Sequence, residues 1–167
     1  MPTASQYGLY LRRSYGLEAP IEAALAMTPH LGSLFDLRSR AKAGLIAADL
    51  LALGLGAADV TDLPLCGVVG PFEGIAEAIG WMYARDCNAP DLVELREQLR
   101  RALPTQLAHA GGYLASYAQG HHDELGSWLD QISGSSSVEE RVLAGARAAY
   151  QCERDWLGEE LHRERTS

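Results

Sequence analysis

No run of about 18 apolar residues occurs in the chain, so no segment is long enough to cross a bilayer as a helix and no membrane partner is expected. The first residues, Met1 to Gly8, are small and polar with no apolar centre, which argues against a secretory leader. Basic residues are in the minority, 14 Lys and Arg against 22 Asp and Glu, for a net charge of −8. Polyanion binding needs clustered cations, so a nucleic-acid partner is excluded at this level. Cysteine is scarce: Cys66, Cys87 and Cys152 form an odd, widely spaced set with no C-x-x-C. They read as reduced thiols of a cytoplasmic protein, neither a disulfide framework nor a zinc site. No G-x-S-x-G, P-loop or G-x-G-x-x-G is present. Nothing alternates with period two for long enough to form a strand; Cys66–Val69 is too short.

What is present is helical periodicity in a chain of ordinary globular composition. With 47% hydrophobic and 22% charged residues, the 167 residues suit one domain, 1–167, with a single core. In Pro71–Arg85, Phe72, Ile75, Ala76, Ile79, Met82 and Tyr83 step by three and four, and Pro71 suits a first helical turn. Asp36 to Leu53 repeats the pattern and ends at Gly54 and Gly56. Asp91–Leu103 carries Leu92, Leu95, Leu99 and Leu103 on one face, and Pro104 stops it. Further helices are expected from about Thr105 to Ala118, weakened by Gly111 and Gly112, and from His122 to Ile132. The glycine pair points to close helix packing. Ser137-Val138-Glu139-Glu140 reads as a capping box opening the last helix, and His162, Arg163 and Arg165 suit its C-terminal dipole. Ser5–Ala26 is helical by pattern, and Pro20 is expected to kink or split it. Pro90 predicts a helix break within Cys87–Asp91, because it disfavours helix at Ala89 and supplies no N–H. The expected architecture is an all-α bundle of about six or seven helices.

Candidate chemistry is sparse. His121-His122-Asp123-Glu124 lacks the i,i+4 spacing of a metal-binding pair, since adjacent helical residues point about 100° apart. His30, His109 and His162 stand alone. Glu153 falls on the apolar side of the last helix, where a core-edge glutamate bonded to a tyrosine or Trp156 is the plain reading and a catalytic carboxylate the sharper one.

Several stretches, in order, resemble the bacterial haem oxygenases, particularly those associated with bacteriophytochromes. Asp49-Leu50-Leu51-Ala52-Leu53-Gly54 resembles that family's "DL-x-x-LG" helix end, and Ala78-Ile79-Gly80-Trp81-Met82-Tyr83 its "ALG-x-LY" run. Tyr113-Leu114-Ala115-Ser116-Tyr117-Ala118 resembles "FF-x-x-YG", Gly126-Ser127-Trp128 resembles "G-x-x-W", and Ala146 to Leu157 resembles the final helix. The resemblance covers most of the chain from about Ser5 and implies the haem-oxygenase-like bundle.

Two departures from the family pattern bear on function. Gln6-Tyr7-Gly8-Leu9-Tyr10-Leu11 matches the start of the second family helix, so the first helix and its iron-ligating histidine have no counterpart, and no His precedes His30. After "LY" the family continues into glycines that lie against the haem face; here the stretch reads Ala84-Arg85-Asp86-Cys87-Asn88-Ala89-Pro90-Asp91-Leu92, with Cys87, Asp91 and Leu92 in place of glycine. Asp86 keeps an acid where the family has Glu. The resemblance therefore implies a non-catalytic relative: a binding or interaction module with a haem or bilin pocket, for which Tyr83, Asp86, Tyr117 and Glu153 are the polar candidates. A helix missing from the bundle would uncover apolar surface, which predicts a homo-oligomer. The alternative is a functional biliverdin-producing haem oxygenase with a substitute axial ligand, its propionates met by Arg12, Arg13, Arg38 or Arg40. A third reading is another enzyme on the same fold, with Cys87 as a reactive thiol.

Overall fold

The computed structural model describes residues 1–119, 122–132 and 134–163; side chains are described for all of these except residues 119, 122, 123, 132 and 159–163. Among them the chain is all helix, with no strand. The order is α1 (Ala4–Met27), α2 (Leu31–Leu34), α3 (Leu37–Arg40), α4 (Ala43–Ala52), α5 (Ala57–Thr61), α6 (Ile75–Cys87), α7 (Ala89–Ala102), α8 (Pro104–His109), α9 (Gly112–Ala115), a 3₁₀ turn (Ser116–Gln119), α10 (His122–Ile132) and α11 (Ser136–Arg163). Six of these, α1, α4, α6, α7, α10 and α11, have ten residues or more. The rest are single turns that join them.

Helix α1 is capped by Thr3, whose hydroxyl accepts the Gln6 N–H at 3.2 Å while Gln6 accepts the Thr3 N–H at 2.9 Å. Pro20 does not split it; the helix runs unbroken for 24 residues. Proline removes the N–H that would reach the Gly16 carbonyl four residues back. That carbonyl instead accepts the Cys66 N–H at 2.8 Å, so the segment after α5 docks into the gap proline leaves. Gly16 makes the approach feasible, because a Cβ there would fall on the Pro64 carbonyl oxygen and 2.7 Å from the Trp156 ring.

Helices α6 and α11 form the main packed pair. A Cβ at Gly80 would fall on the Val142 carbonyl oxygen and 2.6 Å from the Ala146 nitrogen, and one at Gly145 would lie 2.5 Å from the Glu77 carbonyl oxygen. The two backbones therefore touch, and only glycine fits on either side. Close helix packing holds at Gly112, where a Cβ would meet the Asp49 carboxylate of α4 at 3.2 Å, whereas one at Gly111 would press on its own turn at Leu107.

Several boundaries differ from the periodicity, each for a polar reason. Helix α6 begins at Ile75, not Pro71, because Gly74 is extended and the Glu77 carboxylate accepts the Glu73 N–H at 2.7 Å ahead of the first turn. It ends at Cys87; Asn88 alone separates it from α7, which opens on Ala89, expected to be non-helical, and whose first turn holds Pro90, where a missing N–H costs nothing. The Asp36–Leu53 segment divides into α3 and α4, since Glu22 of α1 accepts the backbone N–H groups of Lys42 and Ala43, the latter at 2.8 Å, and starts a new helix there. Thr105–Ala118 divides likewise: buried Asp49 accepts the N–H groups of Gly112 and Tyr113 at 3.0 and 2.9 Å and starts α9. Helix α10 keeps the expected bounds. Helix α11 starts at Ser136, and the acid reaching back is Glu139, to the Gly134 N–H at 2.8 Å, in place of the Ser137–Glu140 box. The side chains of His162 and Arg163, and all of His121 and Arg165, lie outside the described residues.

Gly80→Ala is expected to lower stability by about 3 kcal/mol, the upper end of overpacking costs, because the obstacle is backbone and not a side chain that can turn away. Gly8→Ala, on an open stretch of α1 with nothing within 4 Å, is expected to raise it by about 0.5–1 kcal/mol. Urea denaturation of the two variants checks both signs.

Candidate functional site

The buried face of α1 steps through Tyr7, Leu11, Ser14, Glu18, Ile21 and Leu25, alternating four and three residues. Its two ends enter different apolar clusters. Tyr7 and Leu11 join Ile46, Leu50, Leu99, Leu107 and Leu114; Leu17, Ile21 and Leu25 join Phe35, Ile79, Met82, Leu125 and Val142. Ser14 and Glu18 are both 5% exposed and lie at the seam between the clusters. A serine and a glutamate at core positions of a stripe require polar partners, and these come from α6, α7, α9, the 3₁₀ turn and α11.

Glu18 is ion-paired with Arg85 of α6, both side chains being largely buried. Burial raises the Glu18 carboxyl above its ordinary range, an effect Arg85 partly offsets. Burial works against the Arg85 charge, but Glu18 and the surrounding acidic and phenolic groups hold its pKa above the usual value. Beside the pair, Asn88 donates to Glu153 of α11 at 2.6 Å. Burial also raises the Glu153 carboxyl, with Asn88 and Arg85 opposing. Tyr10, Tyr113 and Tyr117 complete the wall; the Tyr117 hydroxyl donates to that of Tyr113 at 3.3 Å. Burial pushes Tyr10 up to about 12 and raises Tyr113 and Tyr117 as well, so all three are neutral hydroxyls at ordinary pH. These groups line a partly open cavity of about 40 Å³. An open groove of about 360 Å³ between α7 and α11 adjoins it, sharing Tyr10, Asn88, Leu92, Glu153 and Leu157 and adding Asp91, Leu95, Tyr150 and Arg154.

Of the four residues expected from the sequence, Tyr117 and Glu153 line this cavity. Asp86 lies in a second, smaller cavity that shares Arg85 and Tyr117 with the first; it is ion-paired with Arg40 at 2.9 Å. Tyr83 is 44% exposed and lines neither, and its phenol is raised by the neighbouring Cys87 thiol. Glu153 is bonded to Asn88, not to a tyrosine or Trp156; the Trp156 indole donates to the Arg13 carbonyl at 2.9 Å, with the Arg13 guanidinium stacked over its ring. Periodicity missed Ser14, Glu18, Arg85 and Lys42. The signal was there for the first two, as polar residues at alternating four and three spacing within an otherwise apolar stripe.

Lys42 lies in the second cavity and is 6% exposed. Its ammonium sits 4.9 Å from the centre of the Tyr117 ring. Such a contact contributes about 0.5–2 kcal/mol, below the several kcal/mol that desolvating an ammonium costs. Burial accordingly lowers the Lys42 pKa, with Arg85 adding to the effect and Glu18, Asp86 and Glu22 opposing it.

The residues do not fit an enclosed, iron-ligated haem. Among the described residues no histidine lines either cavity: His30, with a left-handed backbone at the start of α2, and His109 are both exposed. Arg85 and Arg40 are engaged by Glu18 and Asp86, Arg13 stacks on Trp156, Arg12 faces solvent, and Arg38 is an exposed residue at the edge of an open groove. The 40 Å³ of the cavity is far below the roughly 300–1,000 Å³ of pockets that surround a drug-sized ligand. No group of three or more metal-ligating side chains occurs among the described residues.

Glu18→Leu alone is expected to cost about 3–5 kcal/mol, because it strands the Arg85 guanidinium. Glu18→Leu with Arg85→Met is expected to recover most of that loss, and a double-mutant cycle by chemical denaturation measures the coupling.

Compared with known proteins, the chain matches no family model, no curated protein and no solved structure.

Proposed function

We propose that this chain is a non-catalytic binding module built on a haem-oxygenase-like bundle, and that its groove between α7 and α11 takes a tetrapyrrole, a bilin in preference to haem, without ligating iron. The observation that carries the reading is a groove with leucine walls, edged by Asp91 and Arg154, above a half-buried polar floor. Leu92, Leu95, Leu157 and Tyr150 offer the apolar contact, while Glu153 and Asn88 stand where groove and inner cavity meet. Pyrrole N–H groups are donors, and the Glu153 carboxylate and the neutral tyrosine oxygens are acceptors. An open-chain tetrapyrrole needs no axial ligand, which agrees with walls that offer no histidine among the described residues.

Self-association belongs to the same reading. Leu34, Leu51, Leu65, Val68 and Leu143 are between 47% and 81% exposed and are the apolar side chains a second copy would cover. Light scattering at micromolar concentration is expected to give a mass above the 18.0 kDa of one chain. A clean monomer would remove this part of the proposal.

Purified protein is expected to bind biliverdin with a shifted, saturable absorption band and to form none from haem. Glu153→Gln should weaken biliverdin binding about tenfold, the loss of one charge-assisted hydrogen bond. Aerobic incubation with haem and a reductase system checks turnover. Steady growth of a bilin band would overturn the non-catalytic reading and establish a haem oxygenase with a substitute ligand.

A further inference from the structure

Cys66 and Cys152 are 86 residues apart in the chain, yet packing places their sulfurs 3.5 Å apart, one thiol donating to the other. Both are free thiols and both are buried in the cluster around Ile21 and Ile79. Each is positioned by its own contact with α1. Cys66 lies in the irregular segment between α5 and α6, and its N–H donates to the Gly16 carbonyl at 2.8 Å. Cys152 lies on α11 one turn before Trp156, whose ring packs on Gly16 and whose indole donates to the Arg13 carbonyl at 2.9 Å. The separation of the two sulfurs is therefore set by two separate contacts on one stretch of α1. A buried cysteine packs as a small apolar residue, which accounts for each sulfur singly. It does not account for two of the three cysteines in the chain meeting across three elements. A disulfide needs its sulfurs about 2.05 Å apart, and rotation about the two Cα–Cβ bonds supplies the remaining approach. Burial raises the Cys152 thiol to about 12, with the Cys66 thiol adding to the effect, so the pair reacts slowly and only with an oxidant small enough to enter the cluster.

We propose that Cys66 and Cys152 form a redox clasp, closing to a disulfide with hydrogen peroxide as oxidant and tying the segment between α5 and α6 to α11. One thiol gives up its proton, and its sulfur attacks the O–O bond of peroxide, leaving a sulfenic acid and one water. The second sulfur, already in contact, displaces the sulfenic hydroxyl, which leaves with the second thiol proton as another water. The two thiols are oxidised by two electrons and one peroxide is reduced to two waters. A bond across so long a separation removes much of the freedom of the unfolded chain and so stabilises the folded one. It also fixes to α1 the stretch of α11 that carries Glu153. The clasp does not depend on the tetrapyrrole reading.

The test uses the full chain carrying Cys87→Ser, which removes the exposed thiol at the end of α6 and leaves only the buried pair. The folded protein is treated with hydrogen peroxide in metal-free buffer, and oxidation of the exposed Met27 marks that the reagent has acted. Both thiols are expected to disappear from a count made in denaturant, and peptide mapping is expected to join Cys66 to Cys152. Tm should rise by about 10 °C and return to its starting value with a phosphine reductant. The same treatment of Cys87→Ser with Cys152→Ala should give no rise. The thiol count and the peptide map decide the matter in the parent chain even if the second substitution weakens the fold. Three results would overturn the clasp. They are free thiols persisting after Met27 is oxidised, recovery of the two cysteines as sulfinic or sulfonic acids, and a bond that leaves Tm unchanged or lowers it. Biliverdin titration reports on the α7–α11 groove, so the two readings fail separately.

Discussion

The backbones of α6 and α11 meet at Gly80 and Gly145, and the rest of the molecule is arranged around that contact. With no side chain between them the helices approach closely enough for Ala78, Ile79, Met82, Val142 and Ala149 to share one cluster with the C-terminal half of α1. That approach also fixes where Arg85, near the end of α6, and Glu153, two turns beyond Gly145 on α11, stand relative to Glu18. A pair of glycines thus determines the geometry of a polar site to which neither contributes an atom.

The seam between the two apolar clusters is costly by design of the sequence. A buried Glu18–Arg85 pair is weak evidence of stabilisation, since well-packed apolar residues of similar volume do as well or better. Two further carboxylates, Asp49 and Glu153, are raised by burial in the same half of the molecule. Asp49 has a structural use: its two oxygens start α9 and set the position of Tyr113. Glu22 does the same for α4 and thereby carries Lys42 inward. Glu153 and Lys42 start no helix through their side chains. Glu153 is raised by burial and answered only in part by Asn88 and Arg85, and the binding proposal rests on it.

Helix capping from outside is the recurring device. Glu22 and Asp49 each reach across from another helix to supply the acceptor that local sequence lacks, and Cys66 supplies the donor that Pro20 removes. Each breaks or sustains a helix against its own periodicity. This explains why the segments expected at Asp36–Leu53 and Thr105–Ala118 are divided, while α1 runs through its proline.

Read alone, the sequence determined the helical class, the span of α10, the break beside Pro90 and the lack of any membrane-crossing helix, because apolar spacing and proline chemistry act within a few residues. It also pointed to Tyr117 and Glu153, which do share one cavity. Only the tertiary structure decided that Tyr83 turns to solvent, that Asp86 is taken by Arg40, and that Glu18, Arg85 and Lys42 are the charged centre. Those outcomes depend on groups 46 and 67 residues apart meeting across helices. Helical periodicity reports which face of a segment is apolar; which charge waits on the other side is set by how the helices pack.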